Sequence, residues 1–112
     1  MMQVVFVVLH KTELLQDLLT KLKKVGVSGG TIIDSQGMIS YIQESDESYI
    51  LGSLRLFLEQ ARPDSKTMFF IIKDEQVDLV FETIDKALGG LENHNTGIAF
   101  AMPITRVEGV VK

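Results

Sequence analysis

Three segments of this chain are apolar at almost every position rather than at every second one: MQVVFVVL at residues 2–9, KTMFFIIK at 66–73 and GIAFAMP at 97–103. A strand with one wet face alternates, so near-continuous apolar runs mark strands covered on both faces. In the first run Val4, Phe6 and Val8 oppose Val5, Val7 and Leu9. Met68, Phe70 and Ile72 oppose Phe69 and Ile71, and Ile98, Phe100 and Met102 oppose Ala99 and Ala101. Whatever this chain folds into has to cover both sides of one sheet.

The covering elements lie between the runs. Residues 12–25 (TELLQDLLTKLKKV) place Leu14, Leu15, Leu18, Leu19, Leu22 and Val25 on one stripe, which predicts a helix. Thr12 is its expected N-cap and Gly26 its stop, with Lys21, Lys23 and Lys24 suiting the C-terminal dipole. Asp74 is the expected cap of a second helix over 75–88, ended by Gly89-Gly90. Residues 31–34 (TIID) predict a short strand over about 30–36. Residues 37–49 read as a loop with a polar, acidic centre. Residues 50–61 (ILGSLRLFLEQA) favour a helix by length, although Leu54, Leu56 and Leu58 also alternate. Residues 106–111 predict a fifth short strand. The order is β-α-β-(loop/helix)-β-α-β, the α+β, ferredoxin-like βαββαβ sandwich: an antiparallel sheet with two helices on one face. Two helices leave the other face bare, and a bare apolar sheet face exceeds what a monomer normally shows. Oligomerisation through that face is the economical expectation, and the alternative is that residues 50–61 fold across it.

Composition narrows the function classes. With 112 residues, the length of one domain, the chain needs no staple, and it has 46% hydrophobic residues. No cysteine is present, which excludes disulfide scaffolds, thiolate zinc sites, iron–sulfur clusters and cysteine nucleophiles, and which fits a reducing cytoplasm. The run Val4 to Leu9 is far shorter than a membrane span, and no basic leader precedes it, so neither membrane insertion nor a signal peptide is expected. A net charge of −4, with only Arg55, Arg62 and Arg106 as guanidinium donors, offers no field for nucleic acid.

Several residue groups are candidates for chemistry. Ser28-Gly29-Gly30-Thr31 is either a ligand-facing backbone segment or a tight helix-to-strand connection. Asn95-Thr96-Gly97 is either a small anion nest or a plain turn. His10 and His94 are the only histidines and come with no ligand spacing, so no metal site follows from them. Glu44, Asp46 and Glu47, bracketed by Tyr41 and Tyr49, form either an acidic docking loop or a solvated one. Asp74 and Asp78 sit at helical spacing and suit helix capping better than acid–base catalysis. Nothing in the spacing identifies a catalytic constellation, so no enzymatic activity is expected.

Taken together these pieces resemble the PII signal-transduction proteins and their PII-like relatives. Val25-Gly26-Val27-Ser28-Gly29-Gly30-Thr31 resembles the family's VGITGMT segment, with Gly37 at the root of the following loop. Lys66 to Ile72, followed by Asp74-Glu75-Gln76-Val77-Asp78, resembles the strand and helix start after the family's long loop. Asn95-Thr96-Gly97, then Phe100, Pro103, Ile104, Arg106 and Val107, resembles its GDGKIFVFPVEEV stretch. The resemblance implies a non-enzymatic homotrimer with no fixed cofactor that binds a small effector between subunits, usually an adenine nucleotide. It implies ligand-binding roles for Gly29, Gly30, Thr31, Gly37, Met38, Asn95 and Gly97. It further implies that residues 37–61 correspond to the T-loop, with Tyr41, Glu44, Asp46, Glu47 and Tyr49 facing a target protein in nitrogen or carbon metabolism. The chain departs from the family where phosphates are held. Ile98 stands in place of a lysine, Glu108-Gly109-Val110-Val111 in place of two arginines, and Met38-Ile39-Ser40 in place of the loop's glycine-glutamine motif. A ligand-free trimeric interaction module and a CutA-like metal-handling protein, which shares the general architecture, are the alternatives.

Overall fold

A computed structural model describes residues 1–38, 64–92 and 96–110. Strand β1 (Met2–Leu9) leads through a 3-10 turn at Thr12–Leu14 into helix α1 (Leu15–Lys24), then strand β2 (Thr31–Ser35). Strand β3 (Ser65–Lys73), a second 3-10 turn at Asp74–Gln76, helix α2 (Val77–Ala87) and strand β4 (Gly97–Ile104) complete the order. The four strands form one antiparallel-paired sheet in the order β2-β3-β1-β4. This is the expected α+β ferredoxin-like arrangement.

The core lies on the helix side. Val5, Val7 and Leu9 from β1 and Met68, Phe70 and Ile72 from β3 are buried against Leu18 and Leu22 of α1 and Val80, Ile84 and Ala87 of α2. Ala99 and Ala101 pack at its margin. The opposite face carries the other half of each apolar run. Phe6 is flanked by Phe69, with ring centroids 5.5 Å apart, and stacks on Phe100 at 5.2 Å. Ile33, Ile98, Phe100 and Met102 stand exposed there. Among the described residues no element lies across this face.

Local details differ from the sequence expectation at three places. Thr12 is inside the first 3-10 turn and caps nothing. The N–H groups of His10 and Lys11 both reach the Thr96 carbonyl, so the chain is already turning before it reaches Thr12. Asp74 is not the cap of the second helix either. Its N–H extends the β1–β3 ladder by bonding to the Met1 carbonyl, and its carboxylate accepts from the Gln3 amide at 3.0 Å. Gln76 takes over the capping, accepting from the Lys73 N–H at 2.9 Å. Residues 106–110 form no strand; the β1–β4 pairing ends at Met2↔Ile104, before they begin. The predicted helix over 50–61 lies outside the described residues.

Candidate functional site

Length mismatch between strands creates the principal cleft. β2 has five residues and β3 has nine, and their pairing stops at Thr31↔Phe69. Beyond that point β3 runs on from Phe70 to Lys73, and among the described residues no strand lies on its outer side. The chain entering β2 bows away because α1 ends in a Schellman turn: Gly26 N–H bonds to Lys23 and Val27 N–H to Leu22. Gly26 sits at φ +100°, a conformation that only glycine takes without strain. A cleft of about 790 Å³ is left between residues 26–31 and the β3 edge, with Lys73, Gln76, Gly109 and Val110 completing its wall.

The hydrogen-bond register shows what the edge offers. Asp74 N–H bonds to Met1, its direct partner in register, so even-numbered residues of β3 bond to β1 and odd-numbered ones face β2. Ser65, Thr67 and Phe69 meet β2, the Lys73 N–H goes to the Gln76 side chain, and Ile71 lies beyond the last β2 pair. The Ile71 N–H and C=O therefore point into the cleft as an adjacent donor and acceptor. Sequence reading missed this feature. Its signal, a strand shorter than its neighbour, was present in the lengths of the two apolar segments.

Gly29, Gly30 and Thr31, three of the residues that the resemblance assigns to ligand binding, line this cleft. Gly30 is held close to β3: a Cβ there would sit 3.0 Å from the Phe69 carbonyl oxygen. Gly29 has no such constraint, since a Cβ there would meet nothing within 4 Å. Gly29 and Gly30 also border a smaller cleft of about 350 Å³ on the helix side, walled by Leu19, Leu22, Ile32 and Met68 with Lys23 at its rim.

The remaining candidates lie elsewhere. Gly37 and the exposed Met38 follow β2, whose end is tied to β3 by Ser35 Oγ, 2.7 Å from Ser65 and 2.8 Å from Thr67, and by the Asp34–Lys66 ion pair. These bonds fix the two roots of the excursion between β2 and β3. Gly97 is at the opposite edge, paired with Leu9. Three strand spacings, about 14 Å, separate it from β2. Within one chain, then, Gly97 does not join the glycine segment. Its glycine has a structural cause, because a Cβ would lie 2.6 Å from the Val8 carbonyl oxygen. Asn95, His94, and the loop residues Tyr41, Glu44, Asp46, Glu47 and Tyr49 lie outside the described residues. Among the described residues no group of three or more His, Asp or Glu side chains is placed to hold a metal, and no helix is long and apolar enough to cross a membrane.

The fold is a ferredoxin-like sandwich of the PII type. The structure is similar to that of the PII protein of Arabidopsis thaliana solved bound to citrate, with a TM-score of 0.65 and 19% sequence identity over 92% of this chain and 77% of that one. No family model matches the chain, and no curated protein matches it in sequence. The likeness is one of fold.

Proposed function

We propose that this chain is a PII-like regulatory protein that binds a small effector at the β2 edge and passes the binding state to a target protein. The observation that carries this reading is the open Ile71 edge facing a glycine segment. A donor–acceptor pair left free on a strand edge needs either solvent or a ligand, and Gly29 leaves that edge accessible without being required by the fold. The apolar sheet face with its Phe6–Phe100 stack supports assembly into a homotrimer. Such an assembly would bring the Gly97 edge of one subunit toward the Gly29–Thr31 and Gly37–Met38 edge of another, completing a site that one chain divides. Asn95 would belong to the Gly97 side. Residues 37–61 would report occupancy to the target, with Tyr41, Glu44, Asp46, Glu47 and Tyr49 as contact residues. The protein works by binding rather than catalysis, in the cytoplasm, without nucleic acid or membrane insertion.

Light scattering on the wild type and on Phe100→Asp tests the assembly, with a trimer expected for the first and a monomer for the second. Calorimetric titration with adenine nucleotides, cyclic dinucleotides and citrate, the molecule bound in the Arabidopsis structure, tests the cleft. A monomeric wild type that gives no heat with any of them would refute this reading.

A further inference from the structure

We propose that the smaller cleft, between α1 and β2, is a second ligand site and that it takes a medium-chain fatty carboxylate, an alkyl tail with one anionic head. The inference is independent of the reading of the larger cleft. The groove exists because the core stops at β3. Among the described residues no core side chain comes from β2, and four of its five residues are exposed. Ile32 lies on the helix side of the sheet with its register partner Met68, yet it is 44% exposed where Met68 is 3%. Leu19 and Leu22 wall the groove from α1, and the 27–30 segment completes the lining.

Four apolar side chains around about 350 Å³ are matched to an alkyl tail, and the volume is at the low end for small-molecule sites. Lys23 sets the polarity of the head group. It stands exposed at the rim, where a lysine stem can cover apolar surface while its ammonium stays in water. Lys21 is paired with Asp17 and Lys66 with Asp34, whereas Lys23 makes no ion pair among the described residues. The end of α1 does not oppose an anion with bare acceptors. The Leu22 carbonyl accepts from the Val25 and Val27 N–H groups, and the Lys23 carbonyl accepts from Gly26 N–H. A tail in the groove with its carboxylate on the Lys23 ammonium fits both halves of this surface. The 27–30 segment also borders the larger cleft, so it registers a ligand on either side.

NMR titration of the full chain with octanoate, below its micelle concentration, tests the proposal. Saturable shifts are expected for the methyl groups of Leu19, Leu22, Ile32 and Met68 and for the amides of Gly29 and Gly30. Acetate, which has the head group without the tail, should give no saturable shift at these positions. Lys23→Gln should weaken octanoate about two- to fivefold. Ile32→Glu places a carboxylate in the groove at an exposed strand position and should abolish binding while the protein stays folded by circular dichroism. Silence with octanoate, as when residues 39–63 or a second copy already fill the groove, overturns the proposal. So do shifts that survive Ile32→Glu, acetate binding as tightly as octanoate, or an affinity unchanged in Lys23→Gln. Each of these outcomes leaves the larger cleft and its nucleotide titration untouched.

Discussion

Gly97→Ala and Gly29→Ala separate a glycine that the fold requires from one that it does not. At Gly97 the added Cβ would lie 2.6 Å from the Val8 carbonyl oxygen and 3.4 Å from the Leu9 Cα, where real Cβ contacts stay above 3.0 Å. Relief requires β4 to move from β1 by at least about 0.4 Å, the difference between those two limits. Neither side can yield cheaply. The obstacle is backbone of a central strand, and the adjacent Thr96 carbonyl holds the N–H groups of His10 and Lys11. Overpacking of this kind costs about 1–3 kcal/mol. At about 4–8 °C per kcal/mol for a small domain, the midpoint should fall by roughly 5–20 °C. Gly29→Ala meets no atom within 4 Å and should be neutral or stabilising by up to about 1 kcal/mol, through a less flexible unfolded chain. Thermal unfolding followed by circular dichroism reads both variants. A Gly97→Ala midpoint within about 2 °C of wild type would refute the close-approach argument.

Three further outcomes follow from the core, from an orphan hydroxyl and from an ion pair. Leu18→Ala removes a fully buried side chain from the cluster that also holds Val7 and Ile84 and should cost about 2–5 kcal/mol in urea unfolding, whereas a loss under about 1 kcal/mol would mean the helix is not seated on the sheet. Thr96 Oγ1 is buried with no hydrogen-bond partner among the described residues, so Thr96→Val should hold or raise stability by about 1 kcal/mol, and a marked loss in the same assay would reveal a partner for the hydroxyl. Glu82 titrates below its usual value because Lys86 donates it a hydrogen bond of 2.8 Å and attracts it coulombically. Since the folded pKa is the lower one, this contribution to stability is present above the unfolded carboxylate value and is lost as pH falls through the folded one. NMR titration should show the Glu82 midpoint rising in Lys86→Gln, and an unmoved midpoint would show that the pair does not form in solution.

The sheet was legible because its signal is redundant. Each of β1, β3 and β4 repeats the same two-faced apolar pattern, and the register confirms which half meets the helices: Val5, Val7 and Leu9 against Leu18 and Leu22. Helix starts were less legible. Thr12 and Asp74 are good capping residues by type, but here the neighbouring strand ends claim the local backbone donors first, through Thr96 and Met1. Side-chain chemistry cannot announce such long-range competition. The glycine segment was recognisable by composition, yet its decisive partner, the Ile71 edge, is invisible by residue type. An isoleucine contributes there through backbone groups common to every residue, and only the difference in length between β2 and β3 exposes them.

Under the proposed function, one chain holds only part of the site. The family resemblance implies that Gly29–Thr31 and Asn95–Gly97 serve one ligand, but β3 and β1 stand between β2 and the Gly97 edge. No rearrangement of loops within a ferredoxin-like sheet removes two central strands that carry the core. The two edges can share a ligand only if one belongs to a neighbouring copy, and the uncovered face around Phe6 and Phe100 supplies a surface on which copies would associate. Assembly and effector binding are then linked. A ligand contacting both edges binds the assembled form more tightly than the single chain, and by mass action it must strengthen the assembly by the same factor. Phe100→Asp should therefore weaken effector binding although Phe100 does not line the cleft. If the monomeric variant bound AMP with wild-type affinity, the β2 edge alone would be the site and the Gly97 edge would have no part in it.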